Sequence, residues 1–339
     1  MAKKVNVVCA GGGLKVFGQL GAMEVMEELG IEIESMAAVS GSTYIGVPWS
    51  VGCTIAERKE LGLKTDYSKT VGPAARATLS RRPEKARTGL LNTCIDFFKA
   101  HIAFELINRN FGLSNNSFAK KWFEGVLRKK GFPPDTRFKD LPKDLWIVAY
   151  DANTNSKMIF SKQHTPNESV VKAAMASLGL FPIFEPEFYE INGLSHIAMD
   201  GGFADVCPMD IFEEKRGNHL ITIGFKPFET KKPGYRAIKN GFALNAMLVL
   251  RGIEVQEERH IKDKYWNKLI TYPVDITLED FVRYGNDVHK KMEIFNSGRR
   301  AGIEYFNEWG WAMFLPRPWR FFAEKLIKTK QSLYKKLGG

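Results

Sequence analysis

The chain has 339 residues, 44% of them hydrophobic, which is enough to bury a sizeable core as one large α/β domain or as two domains, and which excludes global disorder. Lysine and arginine outnumber aspartate and glutamate by 49 to 38, and the formal charge of +11 favours anionic partners, either phospholipid surfaces or nucleic acid. The four cysteines, Cys9, Cys53, Cys94 and Cys207, form no CxxC pair and no Cys/His cluster, so a reduced, cytoplasmic chain with no metal and no cofactor is expected.

Met1 to Val5 leads at once into a strand-like run with neither a long apolar segment nor a small-residue cleavage site, so no secretory signal is expected. No stretch reaches the roughly 18 apolar residues of a membrane span. Val5 to Ala10 reads as a buried strand and runs into Gly11-Gly12-Gly13-Leu14-Lys15; Val16, Leu20, Met23 and Met26 then recur at helical spacing until Gly30. Met36 to Val39 is a second strand, and Gly41 to Val51 is a helix that carries Ser40 at its positive end.

From about Cys53 to Leu145 the pattern is helical and basic, with Arg76, Arg81, Arg82, Lys85 and Arg87 followed by Leu90-Leu91 and Phe97-Phe98. This stretch, 53–145, reads as a helical insertion that covers the core and can act as a lid. Strands return at Trp146–Tyr150, Met158–Phe160 and Leu220–Gly224, with a helix from Ser169 to Leu178 before the turn at Pro182. After Phe225 the chain reads as helical again, including Asp280 to Trp309. With no internal repeat and no low-complexity linker, residues 1–312 are expected to be one domain.

Residues 313–339 form a distinct tail. From Arg317 to Gly339 there are seven basic residues and one acid, Glu324, while Trp319, Phe322, Leu326, Leu333 and Leu337 fall near one helical face. A basic amphipathic helix led by aromatics suits an anionic membrane interface, and a terminal helix packed on the domain with its lysines in water fits the same pattern.

A serine on a tight strand-to-helix turn, beside a glycine loop able to aim several N–H groups at one oxygen, suggests acyl transfer. Met199-Asp200-Gly201-Gly202 adds a carboxylate on a third glycine turn. Here the residues carry a family resemblance. Gly11-Gly12-Gly13-Leu14-Lys15 with Gly18 resembles the glycine-rich oxyanion motif of patatin-like phospholipases, and Val39-Ser40-Gly41-Ser42-Thr43 resembles their nucleophile elbow in the form found in cytosolic phospholipase A2. Asp200-Gly201-Gly202 before Pro208 resembles the catalytic aspartate turn. Val148–Ala152 with Phe160, and Ala173–Ser177 with Pro182, Phe184 and Pro186, are similar to two further motifs in the expected order.

The resemblance covers about Val5 to Phe225 and implies a three-layer α/β/α sandwich with a mostly parallel central sheet, a helical insertion and C-terminal helices. It implies a phospholipase A or lysophospholipase, working without cofactor through a Ser40–Asp200 dyad and an acyl-enzyme. In that scheme Gly11, Gly12 and Gly13 hold the oxyanion, Gly41 and Ser42 support the elbow, and Gly201 and Gly202 support the aspartate turn. Lys15 is a candidate contact for a lipid head group or a counter-ion for a nearby carboxylate. Expected partners are a phospholipid or other acyl-ester lipid, an anionic membrane surface met peripherally, and an activating protein.

The sequence departs from the family pattern where Ala38 and Ser42 stand at elbow glycines and where Val206 stands for asparagine. Several other readings stay open. The glycine loop can cradle a phosphate, although the dinucleotide and P-loop fingerprints are both incomplete. Ser40 can serve as a helix cap, and Asp200 as a turn former. His219, His260 or His289 can complete a Ser-Asp-His triad, with His196 close to Asp200 in sequence. The fold can also carry a catalytically inactive membrane-binding scaffold, and nucleic-acid binding through Arg81 and its neighbours lacks any groove-reading element.

Overall fold

The computed structural model describes residues 3–73, 75–76, 101–213, 215, 220–230, 268–276 and 278–315, together with positions 319, 322 and 326. Cys94, the basic cluster from Arg81 to Arg87, His219, His260 and most of the basic tail lie outside the described residues.

The first unit is β1 (Lys3–Cys9), a 3-10 turn over Gly13–Val16, helix α1 (Phe17–Glu28) and β2 (Ile31–Val39). Helices α2 (Thr43–Ser50), α3 (Ile55–Lys64) and α4 (Ser117–Lys129) follow, and residues 101–110 are also helical. Then come β3 (Asp144–Asp151), β4 (Ser156–Ser161) and α5 (Val170–Ser177), whose first turn is capped by the Ser169 hydroxyl accepting from Lys172 N–H. The chain continues through β5 (Glu187–Ile191), β6 (Leu194–Asp200), β7 (Ile221–Phe228), β8 (Leu269–Pro273), α6 (Leu278–Tyr284) and α7 (Val288–Met313).

These strands make one eight-stranded sheet along the path β5-β6-β3-β2-β1-β7-β8, with β4 also paired to β3. The run from β3 to β8 is parallel, and β4, β5 and β6 are antiparallel. The expectation of a mostly parallel sheet flanked by helices is met. Parallel strands covered on both faces are nearly continuous apolar runs, as with Val5, Val7 and Val8 in β1, interrupted by the buried Asn6, and Met36 to Val39 in β2. Val7, Cys9, Ala38 and Ile147 point to one face, where the helices pack; Val8, Ala37, Val39 and Trp146 point to the other. Among the described residues, that second face is covered by the segment after Asp200, through Val206, Met209, Ile211 and Phe212.

One expectation changes. The chain after Phe225 is not helical throughout, because β8 extends the sheet beside β7. Ile55 in α3 and Phe123 and Leu127 in α4 join the main core, so these parts of the 53–145 stretch form one of the packed layers.

The C-terminal helix α7 is part of the same body. It crosses α1 so closely that a Cβ on Gly298 would sit 1.8 Å from the Gly18 carbonyl oxygen. Gly298→Ala is therefore expected to force the helices apart and cost about 3 kcal/mol in urea unfolding. The buried Lys291 of α7 donates to the carbonyls of Gly62, Leu63 and Thr65 at the end of α3, satisfying orphan acceptors there. Burial lowers its pKa to about 8.

Candidate active site

The registers explain how residues 160 positions apart come to touch. Val39, the last residue of β2, pairs with Val148, and Asp200, the last residue of β6, pairs with Ala149. β4 occupies one edge of β3 along its length, so β2 and β6 share the other edge. They run in opposite directions and end head-on at adjacent residues of β3. Ser40 leaves the end of β2 just as Asp200 closes β6, and the Ser40 hydroxyl donates to Asp200 Oδ2 at 2.6 Å.

Both turns are held tightly. Ser40 has φ 52°, a left-handed conformation that non-glycine residues rarely adopt. Its N–H donates to Ser177 Oγ at 2.8 Å, and Ser177 Oγ in turn donates to the Val148 carbonyl at 2.6 Å. Asp200 Oδ1 accepts from Gly202 N–H at 2.8 Å. Gly201 admits no side chain, since a Cβ there would lie 2.2 Å from the Val148 oxygen. Asp200 is 3% exposed, and burial raises its pKa from 3.8 to about 6 against the lowering effect of its bonds to Ser40 and Gly202. A carboxylate tuned in this direction can accept a hydroxyl proton near neutral pH.

The glycine loop lies against the elbow: a Cβ on Gly41 would sit 2.8 Å from Gly13 N. Gly13 opens the 3-10 turn, so its N–H has no partner within the helix, and among the described residues no protein acceptor meets the N–H of Gly12 or Gly13. Gly11 differs from expectation. Its N–H donates to the Val206 carbonyl at 3.0 Å and is not free for an oxyanion.

Lys15 also needs correction as a head-group contact. Its ammonium pairs with Glu229 at 2.7 Å, and the side chain does not border the cleft beside Ser40. Of the two roles weighed for it, the structure supports neutralisation of a carboxylate.

No described histidine completes a triad. His196 Nδ1 is 2.7 Å from Asp151 Oδ2, His164 Nδ1 is 2.9 Å from Ser161 Oγ, and His289 is exposed on α7. The cleft beside Ser40 and Asp200 is instead walled by apolar and aromatic side chains, including Phe17, Tyr44, Tyr67, Leu180, Phe184 and Phe281. Of these, only Tyr67 comes from the 53–145 stretch. Phe281 of α6 lies against the glycine loop, 3.2 Å from where a Gly13 Cβ would stand.

A sequence model described as patatin-like phospholipase matches residues 7–213. The chain belongs to that family. Membership implies a lipid acyl hydrolase. Uncharacterized protein YqhO of Bacillus subtilis (strain 168) is 25% identical over 318 residues, 90% of this chain and 99% of that protein. Uncharacterized protein R571 of Acanthamoeba polyphaga mimivirus is 22% identical over 303 residues, 87% and 91% of the two chains. Among solved structures, VipD from Legionella pneumophila overlays with a TM-score of 0.46 at 14% identity, covering 88% of this chain and 67% of VipD. The type III effector ExoU of Pseudomonas aeruginosa gives 0.46 at 14%, and this chain spans 90% of its own length but 53% of that protein.

In this patatin-like chain the departures from the family pattern have local reasons. Ala38 is fully buried, and a Cβ at Gly46 would already stand 3.1 Å from its methyl group, so the position holds a small side chain. Ser42 ties the elbow to the sheet: its hydroxyl accepts from Val39 N–H at 2.7 Å and lies 2.9 Å from the Cys9 carbonyl, at the start of the glycine loop. Ser42→Gly would restore the family residue, yet it is expected to lower unfolding free energy by about 1–3 kcal/mol in denaturant titration, because it removes buried bonds. At Val206 it is the backbone carbonyl that contributes, by holding Gly11.

Sequence reasoning missed Ser177 as a supporting residue. It lay within a quoted motif, but its hydroxyl acts on Ser40 across 137 positions, and no local pattern marks that.

Proposed function

We propose that this patatin-like chain hydrolyses fatty-acyl esters of phospholipids or lysophospholipids, with Ser40 as nucleophile and Asp200 as its base. The observation that carries the reading is the 2.6 Å hydrogen bond between Ser40 Oγ and Asp200 Oδ2, on a buried carboxylate whose pKa is raised to about 6. Ser40 Oγ attacks the ester carbonyl as its proton passes to Asp200, and the N–H groups of Gly12 and Gly13 hold the oxyanion. The carbon–oxygen bond to the alcohol then breaks, the alcohol oxygen takes the proton from Asp200, and an acyl-Ser40 ester remains. Water attacks that ester and gives a proton to Asp200; Ser40 Oγ recovers it as the fatty acid leaves. The apolar cleft suits the acyl chain rather than a charged head group.

A peripheral encounter with an anionic membrane completes the reading. Trp319, Phe322 and Leu326 are all about two-thirds exposed and fall three and four residues apart, within a segment rich in lysine and arginine. Such a segment can insert its apolar face while its cations meet lipid phosphates. Among the described residues no helix is long and apolar enough to cross a membrane.

The test is fatty-acid release from a panel of phospholipids, lysophospholipids and neutral glycerides presented on neutral and anionic vesicles. Release from the phospholipid classes, faster on anionic vesicles, is expected. A protein that cleaves none of these lipids would overturn the reading.

A further inference from the structure

The glycine loop is braced from the far end of the chain. In the pairing of β7 with β8, Pro227 stands opposite Tyr272, and both reach the loop. A Cβ on Gly12 would lie 3.3 Å from the Pro227 ring. The Tyr272 hydroxyl donates to the Lys15 carbonyl at 2.8 Å, inside the 3-10 turn that Gly13 opens. Lys15 is also held through its ammonium, which pairs at 2.7 Å with Glu229, one residue past the end of β7. Pro227, Glu229 and Tyr272 all lie beyond position 213, where the match to the family model ends.

Tyr272 is the firmest of these supports. Its side chain is fully buried, and the ring presses on α1 so closely that a Cβ on Gly18 would meet it at 2.2 Å. Gly18, part of the glycine-rich motif, is thus the space through which Tyr272 reaches the loop. Burial pushes the phenol well above its ordinary pKa, so it stays protonated and donates. On the other side of the free N–H groups, Gly11 N–H is fixed on the Val206 carbonyl, and the Ala10 carbonyl accepts from Gln19 Nε2 at 2.6 Å. Gly12 and Gly13 are therefore spanned between two fixed points, Gly11 on Val206 and Lys15 on Tyr272.

We propose that Tyr272 is a positioning residue for the oxyanion loop, one that aims the Gly12 and Gly13 N–H groups through the Lys15 carbonyl, with the Lys15–Glu229 pair as a second brace. Tyr272 is buried behind the loop and does not border the cleft, so it acts through Lys15 and not on the substrate. Donors aimed in advance at developing charge stabilise the transition state more than the bound substrate, so a loop set slightly astray lowers kcat and leaves binding intact. The inference rests on the acyl hydrolase reading and goes beyond it to the residues that shape its oxyanion site.

The test compares wild type, Tyr272→Phe and Glu229→Gln on a short-chain aryl ester, and adds two ligands of one carbon skeleton, an alkyl trifluoromethyl ketone and the corresponding alcohol. Ser40 Oγ adds to the ketone carbon, its proton passes to Asp200, and the carbonyl oxygen becomes an oxyanion in the loop; the alcohol binds without forming one. Tyr272→Phe is expected to lower kcat about tenfold, short of the roughly hundredfold or more that follows loss of a whole donor, with KM within about twofold of wild type. Its affinity for the ketone should fall about tenfold while its affinity for the alcohol stays unchanged. Glu229→Gln, which leaves the interior untouched, should show the same pattern at about threefold. An unchanged kcat in Tyr272→Phe, or a loss shared equally by ketone and alcohol, would overturn the inference and leave the hydrolase reading standing. Should Tyr272→Phe fail to fold, Glu229→Gln decides, and a kcat equal to that of wild type overturns the inference. A wild type that neither cleaves the ester nor binds the ketone more tightly than the alcohol would remove the hydrolase reading, and the inference with it.

Discussion

Ser40→Ala is expected to bring fatty-acid release down by about 10⁶-fold in kcat, the scale seen when a serine hydrolase loses its nucleophile. The fold should survive, because the backbone interactions of this position do not use the hydroxyl. Ser40 N–H would still donate to Ser177 Oγ, and the Ser40 carbonyl would still accept from Thr43 Oγ1. The variant should therefore unfold close to wild type in a denaturant titration while releasing no fatty acid above background. Residual catalysis within about tenfold of wild type would mean that another group attacks the ester.

Asp200→Asn is expected to separate activity from stability in opposite directions. Loss of the base leaves the Ser40 hydroxyl without a proton acceptor and should lower kcat by about 10⁴-fold. Stability should rise at neutral pH. Because the folded pKa of Asp200, about 6, lies above its ordinary value of 3.8, the folded chain binds more protons than the unfolded chain between those limits. Stability contributed by this group is thus greatest at low pH and falls as pH rises from 3.8 through 6, reaching a deficit of roughly 3 kcal/mol above that range. Asparagine removes the charge and with it most of that deficit. Urea midpoints measured across this window should show the variant gaining on wild type as pH increases. The same pKa governs the rate: wild-type kcat/KM should climb about tenfold per pH unit below 6 and level off above it. A variant less stable than wild type at neutral pH would show that the carboxylate is a structural anchor.

The parts of this site that were legible in the sequence are those set by local backbone demands. The glycine loop, the elbow serine and the aspartate turn each need glycine within a few residues, and each leaves a short signature. Pairings between distant residues left none. The N–H of Gly11 meets the Val206 carbonyl, Lys15 meets Glu229, and Ser177 meets Ser40 only because the sheet brings their strand ends together.

The hairpin of β5 and β6 was legible but overlooked. Ile191-Asn192-Gly193-Leu194 is a strong hairpin signal, and Asn192 and Gly193 both have positive φ, 53° and 76°, as a two-residue turn requires. That hairpin sets the place of Asp200 beside Ser40, because its second strand ends there. β8 offered no such cue: it is a five-residue edge strand, and its pairing with β7 is fixed by the sheet.

The central claim is that Ser40 is a nucleophile activated by Asp200, and it can be tested without knowing the lipid. A fluorophosphonate reacts with an activated serine hydroxyl, forming a phosphorus–oxygen bond with loss of fluoride, and the adduct is located by peptide mass analysis. A single adduct on Ser40 is predicted, with a rate that rises as pH passes through about 6 and that falls by orders of magnitude in Asp200→Asn. An adduct on another residue, or labelling of Ser40 at an undiminished rate in Asp200→Asn, would contradict it.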